Sequence, residues 1–98
     1  MAGDTYASVR SLYDAAYRRL VGVVALAAES QQDAEECVQE AFMRLLPRWQ
    51  TVSRYDDPEA WVRGLAVRTM ITRLRRRQVV AQALVRLVGR EDPARGPA

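Results

Sequence analysis

Apolar side chains recur at every third or fourth position in three successive stretches of this chain, the spacing of one face of an α-helix. The first stretch predicts a helix from about Asp4 to Ala28, with Asp4 as its N-cap. A division of this helix is expected at Gly22, because an interior glycine costs about 1 kcal/mol relative to alanine. The predicted core face of the helix comprises Tyr6, Val9, Leu12, Tyr13, Ala16, Tyr17, Leu20, Val21 and Val24.

The second stretch predicts a helix from Ser30 to about Trp49. Ser30 is followed three residues later by Asp33, a variant of the capping box that begins many helices. Pro47 is expected to kink or end the helix near Leu46, since proline lacks the amide hydrogen that the helix needs. The predicted core face comprises Ala34, Cys37, Val38, Ala41, Phe42, Leu45 and Trp49, which makes Cys37 a small core residue rather than a reactive thiol.

The third stretch predicts a long helix from Pro58 to about Val88. Asp57 is its expected N-cap and Gly89 its expected C-cap. The apolar face changes side along this helix, so it either passes between two packing partners or bends. The apolar positions are first Trp61, Val62, Leu65 and Ala66, then Val67, Met70, Ile71 and Leu74 on the other side, and finally Val79, Val80, Ala83, Leu84 and Leu87 on the first side again.

No segment alternates between apolar and polar residues as a half-buried strand does. The predicted fold is therefore all-α, a compact bundle of three to four helices. We expect one domain over residues 1–90, with residues 91–98, rich in Pro, Gly and Ala, as a flexible tail or the start of an interdomain linker.

Composition makes an enzyme the weakest hypothesis. The chain has 98 residues, of which 49% are hydrophobic, and it contains one cysteine and no histidine. Histidine is the usual acid–base residue near neutral pH, and zinc sites draw mainly on cysteine and histidine. The glycines form no phosphate-binding loop. We expect no catalytic residues, no metal and no cofactor. A lone cysteine, and the lack of a secretory signal or a membrane-spanning segment, fit a cytoplasmic protein.

Charge is segregated along the chain. Residues 1–60 contain six arginines and ten acids, whereas residues 61–98 contain nine arginines and two acids. Eight arginines and no acid lie from Arg63 to Arg90. An acidic half beside a basic half indicates two different partners, one basic and one polyanionic such as nucleic acid. A solubilising helix end is the alternative interpretation of the arginines.

Asp33, Glu36 and Glu40 lie on one face of the second helix, opposite Phe42. Taken alone, this pattern is also typical of a solvated helix face. The surrounding string Asp33–Phe42, DAEECVQEAF, resembles the segment of extracytoplasmic-function sigma factors that docks on the polymerase. Two further pieces resemble the same family in the same order: the Leu12–Leu20 helix, and the Asp57–Arg77 helix with its DPEAWV start and LRRR end.

This resemblance covers about residues 9–78 and implies a sigma region 2 domain without catalytic activity. It implies docking on the β′ clamp helices of core RNA polymerase through Asp33, Glu36, Gln39, Glu40 and Arg44. It also implies capture of the non-template strand of the promoter −10 element, with a base flipped out against the connector Thr51–Pro58. An anti-sigma factor is a further partner that the family implies. The residues it assigns to DNA are Arg54, Tyr55, Arg63, Arg68, Arg73, Arg75, Arg76 and Arg77.

The chain departs from the family at two positions, Arg68 in place of the usual asparagine and Thr72 in place of a common aspartate. The C-terminal helix-turn-helix domain of the family is absent, so an excised domain is expected. The apolar positions from Val79 to Leu87 are expected to pack on the bundle, on an anti-sigma partner or on a second copy. A helical protein-interaction module that does not bind DNA remains the alternative function. The sigma interpretation also requires that the acidic face and the arginine-rich helix are not buried against each other.

Overall fold

The computed structural model describes residues 2–91, and all of its regular structure is helical. The elements are α1 (Ala2–Ala25), α2 (Gln31–Leu45), a 3₁₀ turn (Leu46–Arg48), α3 (Trp49–Val52) and α4 (Pro58–Glu91). No strand occurs within residues 2–91, which confirms the all-α prediction. None of the helices in this range combines the length and hydropathy that a membrane span requires.

Helix α1 is one continuous helix, so the predicted division at Gly22 is wrong. Leu20, Val21 and Val24 are buried on either side of Gly22, and this packing offsets the low helix propensity of glycine. The predicted N-cap is also wrong, because the helix begins at Ala2 and Asp4 lies in its first turn. Tyr6 was predicted to be a core residue, but it is exposed on the first turns of the helix.

Helix α2 begins as predicted. The Ser30 hydroxyl accepts a hydrogen bond from the Asp33 backbone amide at 3.1 Å and caps the helix. The α-helix ends at Leu45, and Pro47 lies in the 3₁₀ turn that follows, as the missing proline amide hydrogen led us to expect. The whole predicted core face of α2 is buried except Trp49, which is part-buried in α3.

The core lies between α1, α2 and α4. Leu20, Leu45 and Met70 are its largest fully buried side chains, and Cys37 packs inside it with its Sγ 3.8 Å from the sulfur of Met70. The prediction that Cys37 is a core residue is therefore confirmed. Burial of apolar area of this kind is the dominant stabilising term in a small domain.

Helix α4 contains 34 residues and is about 51 Å long. Its first half packs on the bundle through Val62, Ala66 and Met70, all fully buried, with Leu74 part-buried at the end of the contact. Its second half projects, so the molecule measures 69 × 23 × 20 Å. The helix continues through Gly89 to Glu91, so the predicted C-cap is wrong.

The predicted tail therefore begins inside α4, and residues 92–98 lie outside the described part of the chain. The expectation that the Val79–Leu87 positions pack on the bundle is wrong, because residues 79–88 are all exposed. Of the three alternatives for this segment, an external partner and a second copy remain.

Candidate functional site

The acidic face of α2 lies beside the arginine-rich part of α4. The Arg73 guanidinium donates to Glu36 at 3.0 Å and to Glu40 at 3.4 Å. One turn further along α4, Arg77 donates to both carboxylate oxygens of Asp33, at 2.7 and 2.9 Å. Packing of α2 on α4 through the Cys37–Met70 contact brings these flanking charges together.

The two predicted surfaces are thus joined in part by ion pairs. They are not buried against each other. The side chain of Glu36 is 47% exposed to solvent and that of Arg73 is 29% exposed, whereas that of Asp33 is only 14% exposed. Glu36 and Arg73 remain within reach of an external partner, and Asp33 is the more enclosed of the three.

Arg77 lowers the pKa of the Asp33 carboxyl by hydrogen bonding to its charged form, an effect that partial desolvation opposes. In return, the pKa of Arg77 is raised. Arg77 also donates to Glu29 at 3.1 Å, in the loop before α2. These contacts attach the beginning of α2 to the middle of α4.

Of the other two predicted polymerase contacts, Arg44 lies on this face of α2, whereas Gln39 lies on the side that meets α1. The Gln39 side-chain amide donates to the Tyr17 hydroxyl at 3.2 Å, and Arg44 pairs with Glu40 at 3.0 Å across one helical turn. Gln39 and Arg44 are exposed. The face of α2 beside α4 therefore carries Asp33, Glu36, Glu40 and Arg44, with Asp33 at one end and Arg44 at the other. Gln39 lies apart from them, on the side of the helix that meets α1.

The remaining arginines of the predicted DNA set form no ion pair within residues 3–89, the part whose side chains are described. Arg54, Arg68, Arg75 and Arg76 are exposed, and Arg63 is part-buried. Arg68 and Arg76 line an open groove between α2 and α4, where the hydroxyl side chain of Thr72 lies between them. Guanidinium groups in such a groove are suited to bind phosphate oxygens.

The connector between α3 and α4 is short and ordered by hydrogen bonds. The Tyr55 amide donates to the Val52 carbonyl at 3.0 Å, and the Arg54 amide to that of Thr51 at 3.2 Å. The Asp57 carboxylate caps α4 by accepting from the Ala60 amide at 3.1 Å, which confirms the predicted N-cap. Tyr55 is 48% exposed, so its ring is available to a ligand.

Trp61 lies at the edge of the core, next to the connector. The predicted core position is right in part, since Trp61 packs on the core while remaining part-buried. Its other side lines a shallow groove with Tyr55, Thr51 and Arg48. The available signal was its position one turn after Asp57, which places it beside the connector. Two aromatic rings and a cation beside a groove suit the stacking of a planar base.

The first turn of α4 is tied to α1 by an ion pair. Arg19 donates to Glu59 through two nitrogens, at 2.8 and 2.6 Å. The hydrogen bond from Arg19 lowers the pKa of Glu59, against a smaller opposing effect of desolvation. This pair holds the start of α4, and with it one end of the connector, against the bundle.

Within the described residues, no three potential metal ligands form a cluster. A family model described as Sigma-70 region 2 matches residues 12–80, which include the acidic face of α2, the connector and the arginines up to Arg77. No curated protein and no solved structure matches the chain.

Proposed function

Because this chain belongs to the sigma-70 region 2 family, we propose that it docks on the β′ clamp helices of core RNA polymerase and captures single-stranded promoter DNA of the −10 element. The family has roles in polymerase binding and promoter recognition and is not a class of enzymes. The Asp33–Phe42 string supports a narrower assignment to the extracytoplasmic-function group of bacterial sigma factors. Its place of action would then be the cytoplasm.

The docking surface is the exposed face of α2. Glu36, Gln39 and Glu40 offer carboxylate and amide groups to a basic and polar partner, with Asp33 and Arg44 at the two ends. Charged groups on such a rim set the association rate and the choice of partner more than the affinity.

The DNA surface begins at the connector. A flipped base would stack in the groove between Tyr55 and Trp61, with Arg48 and Arg54 near its edge or phosphate. Beyond this groove, Arg68, Arg75 and Arg76 follow along the side of α4 that carries Trp61, toward the middle of the helix. Arg63 is part-buried and lies about 140° around the helix from Arg68, outside this track. From Trp61 to Arg76 the helix rises about 22 Å, enough to follow several nucleotides of the strand.

One observation supports this proposal most directly. The groove beside Tyr55 and Trp61 and the arginines of α4 that form no ion pair lie along the same helix. A base-stacking site that continues into a basic track is the arrangement by which proteins bind single strands. Arg73 and Arg77 belong to the same track, but they are engaged with acids of α2.

Fluorescence anisotropy with a labelled single strand of DNA and the matching duplex tests the proposed capture of single-stranded DNA. We expect tighter binding of the single strand, with a salt slope of about −0.7 per phosphate contacted. The R68Q/R76Q variant should flatten this slope, whereas Arg18→Gln, an exposed arginine of α1 outside the track, should not. Equal affinity for the duplex would refute base capture and favour a protein-interaction module.

A pull-down of core polymerase with the immobilised domain tests the proposed docking on polymerase. The E36Q/E40Q variant should be captured less well than the parent, because both carboxylates leave the docking face. Glu35→Gln is the control for a lost carboxylate on the same helix, since it removes one charge outside the proposed contacts. Equal capture of E36Q/E40Q and the parent would contradict docking through α2.

A further inference from the structure

The guanidinium of Arg68 lies over Gly64, one turn earlier in α4. A methyl group on Gly64 would lie 3.2 Å from the Arg68 Nη1, closer than ordinary van der Waals contact, and 3.9 Å from its Cζ. Apart from the adjoining residues and the backbone of α4, no other atom of the described residues comes within 4 Å of this position. At Gly22, by contrast, the corresponding space is empty. The missing side chain of Gly64 therefore leaves room for one group, the Arg68 guanidinium.

This arrangement directs Arg68 back toward the connector. Its guanidinium lies over a residue about 6 Å nearer the start of α4 than its own Cα. Trp61 and Arg68 differ by about 20° around the helix, so they share one side. Gly64 is about 4.5 Å along the axis from Trp61, close to the spacing of about 3.4 Å between successive nucleotides of a stacked strand. A nucleotide next to a base stacked on Trp61 would therefore lie beside the guanidinium.

The donors of Arg68 are available to such a nucleotide. Arg68 is exposed, and it forms no ion pair within residues 3–89, whose side chains are described. The two parallel N–H donors of a guanidinium match the O6 and N7 acceptors of guanine, which is the commonest base-specific contact. Proteins read the bases of single strands by hydrogen bonds to such edges. We propose that Arg68, held over Gly64, selects a guanine next to the captured base.

This inference rests on the proposed capture of single-stranded DNA and specifies which base the site prefers. Arg68 would contact the base, and Gly64 is a positioning residue that acts through Arg68. The two roles of Gly64 have opposite signs. Alanine has the higher helix propensity, and the group that its methyl would displace is the far end of a flexible side chain. Gly64→Ala should therefore stabilise the fold and weaken the preference for guanine.

Anisotropy titrations of the full chain with short labelled strands test the preference. Each strand is all dT except for one central dG, dA or dC. The dG strand should bind the parent about fivefold or more tightly than the dA strand, the lower end of the effect of a bidentate contact. The dA strand is the matched comparison, because adenine is also a purine and stacks on aromatic rings in the same way.

Three variants separate base reading from backbone binding. Arg68→Gln should abolish the preference for dG over dA. Gly64→Ala should reduce it as well, and G64A/R68Q should bind each strand as Arg68→Gln does, because the glycine acts only through the arginine. Arg76→Gln, which removes an exposed arginine further along α4, should weaken binding of all strands by the same factor. Thermal unfolding should show a higher midpoint for Gly64→Ala than for the parent.

Equal affinity of the parent for the dG and dA strands would overturn the selection of guanine. A preference that survived Arg68→Gln, or a loss that was the same for every strand, would also overturn it. A full preference in a folded Gly64→Ala would refute the positioning role of Gly64. Failure of the proposed function differs from all of these, because the parent would then bind none of the strands more tightly than a duplex.

Discussion

The guanidinium of Arg73 bridges Glu36 and Glu40, two acids one turn apart on α2, at 3.0 and 3.4 Å. These acids would contact polymerase, and Arg73 would contact DNA. Both roles therefore meet in one set of ion pairs at the surface. The pairs are exposed enough to open, because their attraction is screened by water and salt.

Loss of a buried leucine should destabilise the bundle strongly. Leu20→Ala removes a fully buried side chain and should lower the free energy of unfolding by about 2–5 kcal/mol. The same change at Leu84, which is 54% exposed, should lower it by less than about 0.5 kcal/mol. Urea unfolding followed by circular dichroism measures both. Similar losses at the two positions would mean that residues 78–91 of α4 pack on the bundle in solution.

Gly22→Ala should stabilise the protein. No atom lies within 4 Å of the position that the added methyl group would occupy, and the backbone there is helical. The free energy of unfolding should rise by about 0.5–1 kcal/mol, because alanine has the higher helix propensity. Thermal unfolding of the variant and the parent gives the difference. A lower midpoint for the variant would show that the glycine serves a purpose other than helix formation.

The Asp33–Arg77 pair should make stability depend on acid pH. Because Arg77 lowers the pKa of Asp33, this carboxylate stabilises the folded state above its unfolded pKa of about 3.9. That stability is lost as the pH falls through the lower pKa of the folded state. Asp33→Asn should therefore be less stable than the parent at neutral pH, and the gap should narrow below about pH 4. Urea titrations at several pH values measure it.

The Arg77→Gln background provides the control for this pH effect. Without the guanidinium, the change from Asp33 to asparagine should produce little pH-dependent difference in unfolding. A gap that persisted in that background would assign the effect to another neighbour of the Asp33 carboxyl, such as the Ser30 hydroxyl or Arg73.

Tyr55→Ala should weaken single-strand binding. Stacking on an aromatic side chain contributes about 1–3 kcal/mol per base, or roughly fivefold to 150-fold in affinity. Tyr55→Phe should retain most of the affinity, since the ring is kept. Tyr6→Ala removes another exposed tyrosine, from the N-terminal end of α1, and should have no effect on DNA binding. If Tyr6 and Tyr55 behaved alike in the anisotropy assay, the connector groove would not be the base site.

The Cys37 thiol should be unreactive in the folded protein. It is fully buried, and burial raises its pKa, so little of the nucleophilic thiolate is present. A thiol reagent such as Ellman's reagent should label it only after urea unfolding, at a rate that follows the opening of the core. Rapid labelling under native conditions would indicate that α2 and α4 separate easily around the Cys37–Met70 contact.

Local signals in the sequence predicted the helices well and their ends less well. Ser30 and Asp57 were found as N-caps because the capping side chain bonds an amide only three residues away. Gly22 was predicted to divide α1 and Gly89 to end α4, but both helices continue through these residues. The packing of neighbouring residues decides such positions, and propensity alone is a weak guide.

The sequence predicted the acidic face of α2 and the arginine-rich part of α4, but it did not predict that the two form ion pairs with each other. Arg73 and Glu36 are 37 positions apart, and only the rotation of α4 against α2 brings them into contact. Likewise, Trp61 was predicted as a core residue from its place in the apolar pattern. The contact of Trp61 with the groove beside Tyr55 depends on how close the connector lies to the first turn of α4, which the sequence pattern does not specify.

The Arg19–Glu59 pair holds the connector at its exit, and the buried side chain of Val52 holds it at its entrance. Between these anchors only residues 53–57 lie outside the helices. A loop fixed at both ends loses little conformational entropy when a nucleotide arrives. Strand capture should accordingly proceed in a single kinetic phase, with a rate proportional to DNA concentration and no slow loop-closure step.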